Sequence, residues 1–273
     1  MAFCRRNPLV VVGAVIVLAW IAASIAAPLV SPYAPLAQRV VDRLKPPSLA
    51  HPFGTDPLGR DILSRVIFGG RISLPVGFLV VVVALGVGGL IGAVAGFGPG
   101  WLDGLLMRLT EIVMAFPIII LAMTIAAALG PGLDHAVVAL VAVSWPRSAR
   151  VIRGLVMSVK ENEYVQASRA MGGTEAHILA RVVLPNCLAP AVVMATLDLG
   201  NAILTFAGLS FLGLGSPPPA PEWGAMVAAG TQSFDQWWVS AFPGAAILTL
   251  VMAFNFIGDG VRDALDPRLR RNL

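Results

Sequence analysis

The chain has 273 residues, of which 57% are hydrophobic and 12% charged, with a mean hydropathy of +0.83. Soluble domains carry roughly 25% charged residues, so this chain has too few charges to cover a soluble surface. It reads as one membrane bundle rather than several domains. The net charge is +4 and the pI about 9.7, but the basic residues flank apolar runs instead of sharing one solvated face with interleaved aromatics, which argues against a nucleic-acid binder.

The first apolar run, Leu9 to Val30, follows Arg5 and Arg6 and carries no charge. At about 1.5 Å per residue it reaches roughly 33 Å, enough for a hydrocarbon core of about 30 Å and longer than a signal-peptide core. It is expected to be a retained helix that doubles as a targeting signal. Five further runs follow: Leu74 to Phe97, Ile112 to Leu129 with Pro117 near its start, His135 to Pro146 extendable through Ile152, Cys187 to Leu214 with the single charge Asp198, and Ala241 to Ile257. Each must be helical, because a lipid-exposed span satisfies its own backbone polar groups. The expected fold is therefore an all-α membrane protein of about six transmembrane helices, and Gly-rich stretches such as Gly86 to Gly92 read as helix packing. Placing the N-terminus inside puts 13 of the 19 basic residues on inner segments, among them Arg108, Arg147, Arg150, Arg153, Lys160, Arg169, Arg181 and Arg262. The loops Gly130 to Asp134 and Gly215 to Ser240 hold none. Both termini are expected in the cytoplasm.

Between the first two runs, 31–73 forms an outer segment. Asp56 is placed to cap a helix beginning at Pro57, with Leu58, Ile62 and Val66 on one face. That helix is either interfacial and amphipathic or packed on the bundle. The polar stretch Val159 to Asn186 reads as two short helices around a Gly-Gly turn. Asn162 caps the first, Gly172–Gly173 ends it in a left-handed conformation, Thr174 caps the second and Pro185 limits it. Tyr164, Ala167, Ser168 and Met171 share one face; Ile178, Leu179, Val182 and Val183 share another. The pattern fits a helical knob that enters a partner's groove, or a connecting loop lying flat on the membrane.

In this stretch, Gln166-Ala167-Ser168-x3-Gly172-x9-Val182-x-Leu184-Pro185 resembles the coupling motif of binding-protein-dependent ABC importer permeases. The family pattern has Glu, Ala and Ile where this chain has Gln166, Ser168 and Val182, substitutions that add neither bulk nor charge. His51 to Arg65, Ala207 to Gly215, Pro221-Glu222-Trp223-Gly224 and Met252 to Pro267 are similar to segments of the dipeptide/oligopeptide/nickel permeases, in the order of the second, C-type, permease. The resemblance runs from about residue 8 to 267.

The resemblance implies a division into 1–30 (cytoplasmic N-terminus and first span), 31–73 (extracytoplasmic segment), 74–267 (five-span core with the coupling loop 159–186) and 268–273 (cytoplasmic tail). It implies a bacterial or archaeal cell-membrane location. It also implies a second homologous permease, two cytoplasmic ATPases docking on the coupling helices of the two permeases, and an extracytoplasmic solute-binding protein. The chain itself is expected to bind no cofactor, ATP and Mg being used by the ATPases. Indeed it contains no Gly-x4-Gly-Lys-Ser/Thr phosphate loop, and His51, His135 and His177 show no metal-ligand spacing.

Asp198 is the residue to watch, since a carboxylate within a span is costly. With Asn201 one turn away it is either a polar wall of the pathway or a clamp between helices. Glu222 and Trp223, on the stiff loop 216–224, either contact the binding protein or brace the last spans. Trp237 and Trp238 suit an interfacial anchor. Substrates implied are di- or oligopeptides, with nickel or a metal chelate as the alternative. An ion-driven secondary transporter is the reading of a different class, although the internal repeats expected of one are not visible.

Overall fold

The computed structural model describes residues 7–265. Arg5, Arg6, Cys4, Pro267 and the tail 268–273 with its three arginines lie outside the described residues. Among the described residues all regular structure is helical, apart from a single bridge between Thr55 and Asp61. The helices in order are α1 (Pro8–Ile25), α2 (Ala27–Val30), α3 (Ile62–Phe97), α4 (Gly100–Met114), α5 (Ile118–Leu129), α6 (Leu133–Lys160), α7 (Glu163–Ala170), α8 (Glu175–Ile178), α9 (Leu184–Phe211), α10 (Trp223–Gly230) and α11 (Trp238–Leu265).

Four helical runs are long and apolar enough to cross a membrane, and the bent pair α4–α5 makes a fifth if counted as one span. The 28-residue α6 is long enough, but His135, Arg147 and Arg150 reduce its apolarity. Apolar residues such as Leu18, Phe78, Leu90, Leu188 and Leu248 face outward, as a lipid-facing surface requires.

The frame of the bundle is the packing of α3 on α6. The two run parallel, and Gly88, Gly92 and Gly96 form a stripe on α3 at four-residue spacing. A methyl group at Gly88 or Gly92 would overlap the carbonyl of Trp145 or Ala149, so only glycine allows this approach. Gly86 and Gly89 face open space, which narrows the expected packing stretch to one face.

Three layers of core follow along the bundle. One gathers Ile62, Val66, Ile203, Trp223 and Leu250; the second Val80, Ala126, Leu140, Phe206 and Leu209; the third Ala93, Val156, Val165, Ile178, Val183 and Cys187.

Three expectations change. The helix expected from Pro57 begins instead at Ile62 and continues without a break through residue 97, so no boundary falls at 73/74. Its cap is Asp61, whose side chain accepts from the Ser64 N–H at 2.8 Å. Asp56 closes the preceding turn, accepting from the N–H groups of Leu58 and Arg60. The run Ile112 to Leu129 is not one helix: the chain turns by 86° between α4 and α5. Pro117 is the cause, being fixed in an extended conformation at φ −57° and ψ 126° where a helix cannot continue. On α4 the exposed Trp101, Leu105, Leu109 and Ile112 line one face, so the interfacial amphipathic pattern belongs to this helix. Finally, Arg147 stands at the middle of α6 rather than at the end of a span.

Candidate functional site

The polar stretch after α6 is built from local rules. Asn162 sits at the N-cap of α7 with extended backbone, but its side chain makes no cap bond and instead donates to the Tyr164 hydroxyl at 3.4 Å. At the other end Gly172 has φ +85°, a left-handed conformation that costs any residue with a Cβ. The Gly173 N–H donates to the Ser168 carbonyl at 3.1 Å and the Gly172 N–H to that of Arg169 at 3.0 Å. This is a Schellman closure. Thr174 then caps α8, accepting from the His177 N–H. Arg169 and Glu175 bridge the turn with two hydrogen bonds of 2.8 and 2.9 Å, and the bound carboxylate holds the Arg169 guanidinium above its ordinary pKa.

Pro185 does not limit the second helix. Residues Leu179–Val183 form a π turn that leads directly into α9, so Glu175 to Phe211 is one helical run. The wider π turn re-routes the backbone bonds just before the residue that has no N–H to give. The second half of the knob, α8, and the fifth apolar run are thus one rod, to which α7 is joined through the Gly172–Gly173 turn. The knob is anchored by buried Val165, Ile178 and Val183, packed with Ala93, Ile152 and Val156. Gln166, Ala167, Tyr164, Met171, Gly172 and Pro185 are exposed, while Ser168, Val182 and Leu184 are half-buried. Gln166 is tied back to the Glu161 carbonyl at 3.1 Å. Of the expected shared faces, Tyr164, Ala167 and Met171 remain open, whereas Ile178 and Val183 turn inward.

Deeper in the bundle, α6 and α9 bring Arg147 and Asp198 together, with Nη1 and Oδ1 3.0 Å apart. Sequence reasoning singled out Asp198 and offered Asn201 as its partner. Asn201 does line the same cavity one turn on, but the ion-pair partner among the described residues is Arg147. The cavity has a volume of about 80 Å³ and mixes apolar walls (Val80, Val81, Leu140) with Ser144, Ser148 and Thr205. Nearer the knob, Arg153 grips Asp103 of α4 through two bonds of 2.5 and 2.6 Å, and the Lys160 ammonium donates to the Gly96 carbonyl. The bound guanidinium and nearby Lys160 thus tie α4, α3 and α6 at one end of the bundle.

The pair Glu222–Trp223 is not available to any partner, since both residues are fully buried. Glu222 caps α10, accepting from the N–H groups of Gly224 and Ala225 at 2.9 and 2.8 Å. Burial pushes its carboxyl above the ordinary range, and those two donors offset part of that push. The Trp223 indole donates to the Val66 carbonyl at 2.8 Å and meets Trp20 edge-on. The loop therefore braces helices, the other half of its expected reading. Trp238 is likewise buried and donates to the Thr55 carbonyl, whereas Trp237 is exposed.

The segment 31–61 has its own polar core that sequence reasoning missed. Asp61 holds Ser64 and the His51 ring (2.9 Å), Asp56 holds Arg60 and faces Arg65 at 3.7 Å, and Tyr33 stacks on His51. The only signal was the crowding of opposite charges in 56–65. Among the described residues no group of three His, Cys, Asp or Glu side chains is placed to hold a metal ion.

Comparison with known proteins agrees with this architecture. The profile of the binding-protein-dependent transport system inner membrane component matches residues 88–271, and that of the N-terminal transmembrane domain of oligopeptide transport permease C matches residues 4–47. The chain is 43% identical over 267 residues to the dipeptide transport system permease protein DppC of Alkalihalophilus pseudofirmus, covering 97% of this chain and 88% of that one. It is 44% identical over 265 residues to the probable D,D-dipeptide transport system permease protein DdpC of Escherichia coli, covering 97% and 89%. It is 47% identical over 251 residues to the di/tripeptide transport system permease protein DppC of Pseudomonas aeruginosa, covering 89% and 83%. Among solved structures, a chain of the MetNI methionine ABC transporter in an inward-facing conformation superposes with a TM-score of 0.64 at 22% identity, over 75% of this chain and 98% of that one. That likeness is one of fold. A multi-pass helical frame with matching profiles across both its N-terminal span and its core has one consistent assignment: the chain belongs to the family of inner membrane components of binding-protein-dependent transport systems.

Proposed function

We propose that this chain is one of two permeases forming the pathway of an ATP-driven importer of di- or oligopeptides. Both termini lie in the cytoplasm, two ATPases dock on the coupling helices of the two permeases, one of them on this chain's knob centred on Gln166, Ala167, Ser168 and Gly172, and an extracytoplasmic binding protein delivers cargo. ATP and Mg are used on the ATPases. The observation that carries this reading is the α7–α8 knob. Its α7 is largely exposed and is closed by a turn that needs Gly172 and is bridged by the Arg169–Glu175 pair, and its α8 runs on through Val182, Leu184 and Pro185 into the rod that ends at Phe211, so a push on the knob has a short path into the bundle. The names of the relatives favour peptides over nickel as cargo, and family membership leaves the ion-driven alternative without support.

The test is a mild-detergent pull-down of the tagged chain from its native membrane. Recovery of a related permease and two ATPases is the expected result. Recovery of this chain alone, from membranes in which it is stable, would sink the proposal. Within it, Asp198 and Asn201 line the pathway. Asp198→Asn is expected to lower uptake while leaving assembly intact, and normal uptake of every peptide offered would remove Asp198 from the pathway.

A further inference from the structure

The charge pair at the middle of the bundle has a chemistry that docking and lever action do not use. Arg147 lies halfway along α6 and Asp198 halfway along α9, so the pair sits far from both ends of the two helices, and a charge held within a span is costly when isolated. The carboxylate is turned in, with 18% of its side chain exposed, and the guanidinium is open, with 52% exposed. A guanidinium has five N–H donors in a planar fork. Among the described residues its ion-pair partner is one Asp198 oxygen, and Arg147 itself lines the cavity, so the fork has donors left to offer there. The surrounding Ser144, Ser148, Asn201 and Thr205 provide neutral hydrogen-bonding groups between apolar walls.

We infer that Arg147 and Asp198 together read the two charged ends of a zwitterionic cargo. This rests on the reading of the cavity as a peptide pathway. A short peptide carries an ammonium at one end and a carboxylate at the other. As it passes, the ammonium takes Asp198 and the carboxylate takes the Arg147 fork, so one internal pair is exchanged for two pairs with the cargo. No charge is left alone in a low dielectric at any stage. A cargo with an extra charged side chain leaves one charge unbalanced, which makes the pair a specificity-determining element rather than only a clamp.

The test uses proteoliposomes containing the whole complex, with the binding protein outside. Uptake of dialanine, alanyl-aspartate and alanyl-lysine is measured for the unaltered chain, Asp198→Asn and Arg147→Gln. Because the binding protein is the same throughout, its own preference cancels in the ratios. Asp198→Asn leaves a lone cation and should raise the acidic-to-basic uptake ratio by about threefold or more, and Arg147→Gln should lower it by a similar factor. Equal losses for all three peptides, with no change in ratio, are what a clamp between helices would give and would overturn the inference. The double variant Arg147→Gln with Asp198→Asn leaves no orphan charge to disturb folding. It should assemble with its partners as the unaltered chain does, yet take up dialanine about tenfold more slowly; undiminished uptake would also overturn the inference. If the unaltered complex carries none of the peptides, the import reading itself fails, and this one with it.

Discussion

The segments 31–61 and 161–183 are both polar, both charged, and both placed at an end of the bundle, yet they use their charges in opposite ways. In the first, His51, Asp56, Arg60 and Asp61 are less than 10% exposed, Asp56 pairing with Arg60 and Asp61 with His51, and residues far apart in sequence meet around them, as when Tyr33 stacks on His51 and Trp238 reaches the Thr55 carbonyl. In the second, Arg169 and Glu175 pair in the open and the hydrogen bonds are local, closing turns and capping single helix ends. Exposed apolar residues do not separate the two, since Val40, Val41 and Leu49 of the first are as open as Tyr164 and Met171 of the second. What separates them is where the charges lie: those of 51–61 are part of the folded interior, and removing one should cost stability, whereas those of 161–183 lie in solvent and should cost little.

The largest expected effect removes the frame that both segments rest on. Gly92→Leu forces α3 away from α6 and should cost about 3 kcal/mol or more, seen as loss of the monodisperse peak in size-exclusion chromatography. Next come changes at two buried carboxylates, Asp61 in the cap and Glu222 in the brace formed by the loop 216–224. Asp61→Ala strips partners from Ser64 and His51, and should cost about 3 kcal/mol in a thermal melt while leaving ATPase pull-down unchanged in whatever protein survives. Glu222→Ala, which orphans the buried Gly224 N–H and the part-buried Ala225 N–H, should cost about 2 kcal/mol in the same melt. Behaviour of Asp61→Ala or Glu222→Ala like a surface mutant, with an unshifted melt, would break the comparison. In the knob the order reverses. Gly172→Val should cost only about 1 kcal/mol through left-handed strain, yet reduce ATPase co-purification and peptide uptake far more than that loss of stability explains. Arg169→Ala, at the exposed end of a screened pair, should leave the melting temperature unchanged.

The apolar runs, the membrane class, the Gly172 turn and the Thr174 cap were all legible in the sequence, because each depends on neighbours within a few positions. What was not legible depends on contacts across the bundle. Pro117 and Pro185 look alike in a string of apolar residues. One turns the chain by 86° and the other lies inside a continuous rod, because a π turn precedes only the second. Asp198 was visible as an intramembrane carboxylate, but its partner Arg147 lies 51 positions earlier, and only the α6–α9 crossing brings them to 3.0 Å. Glu222 and Trp223 sit in a Pro-rich loop that reads as surface. Their burial follows from the indole reaching the Val66 carbonyl and packing edge-on against Trp20.

The rod from Glu175 to Phe211 has 37 residues and is about 55 Å long. Its buried residues fall along nearly all of that length, from Ile178 and Val183 at one end to Phe206 and Leu209 at the other, so no single point serves as a pivot. In the proposed importer, a displacement delivered at the Glu175 end is therefore felt by all three core layers together, and Asp198 is carried with the rod that holds it.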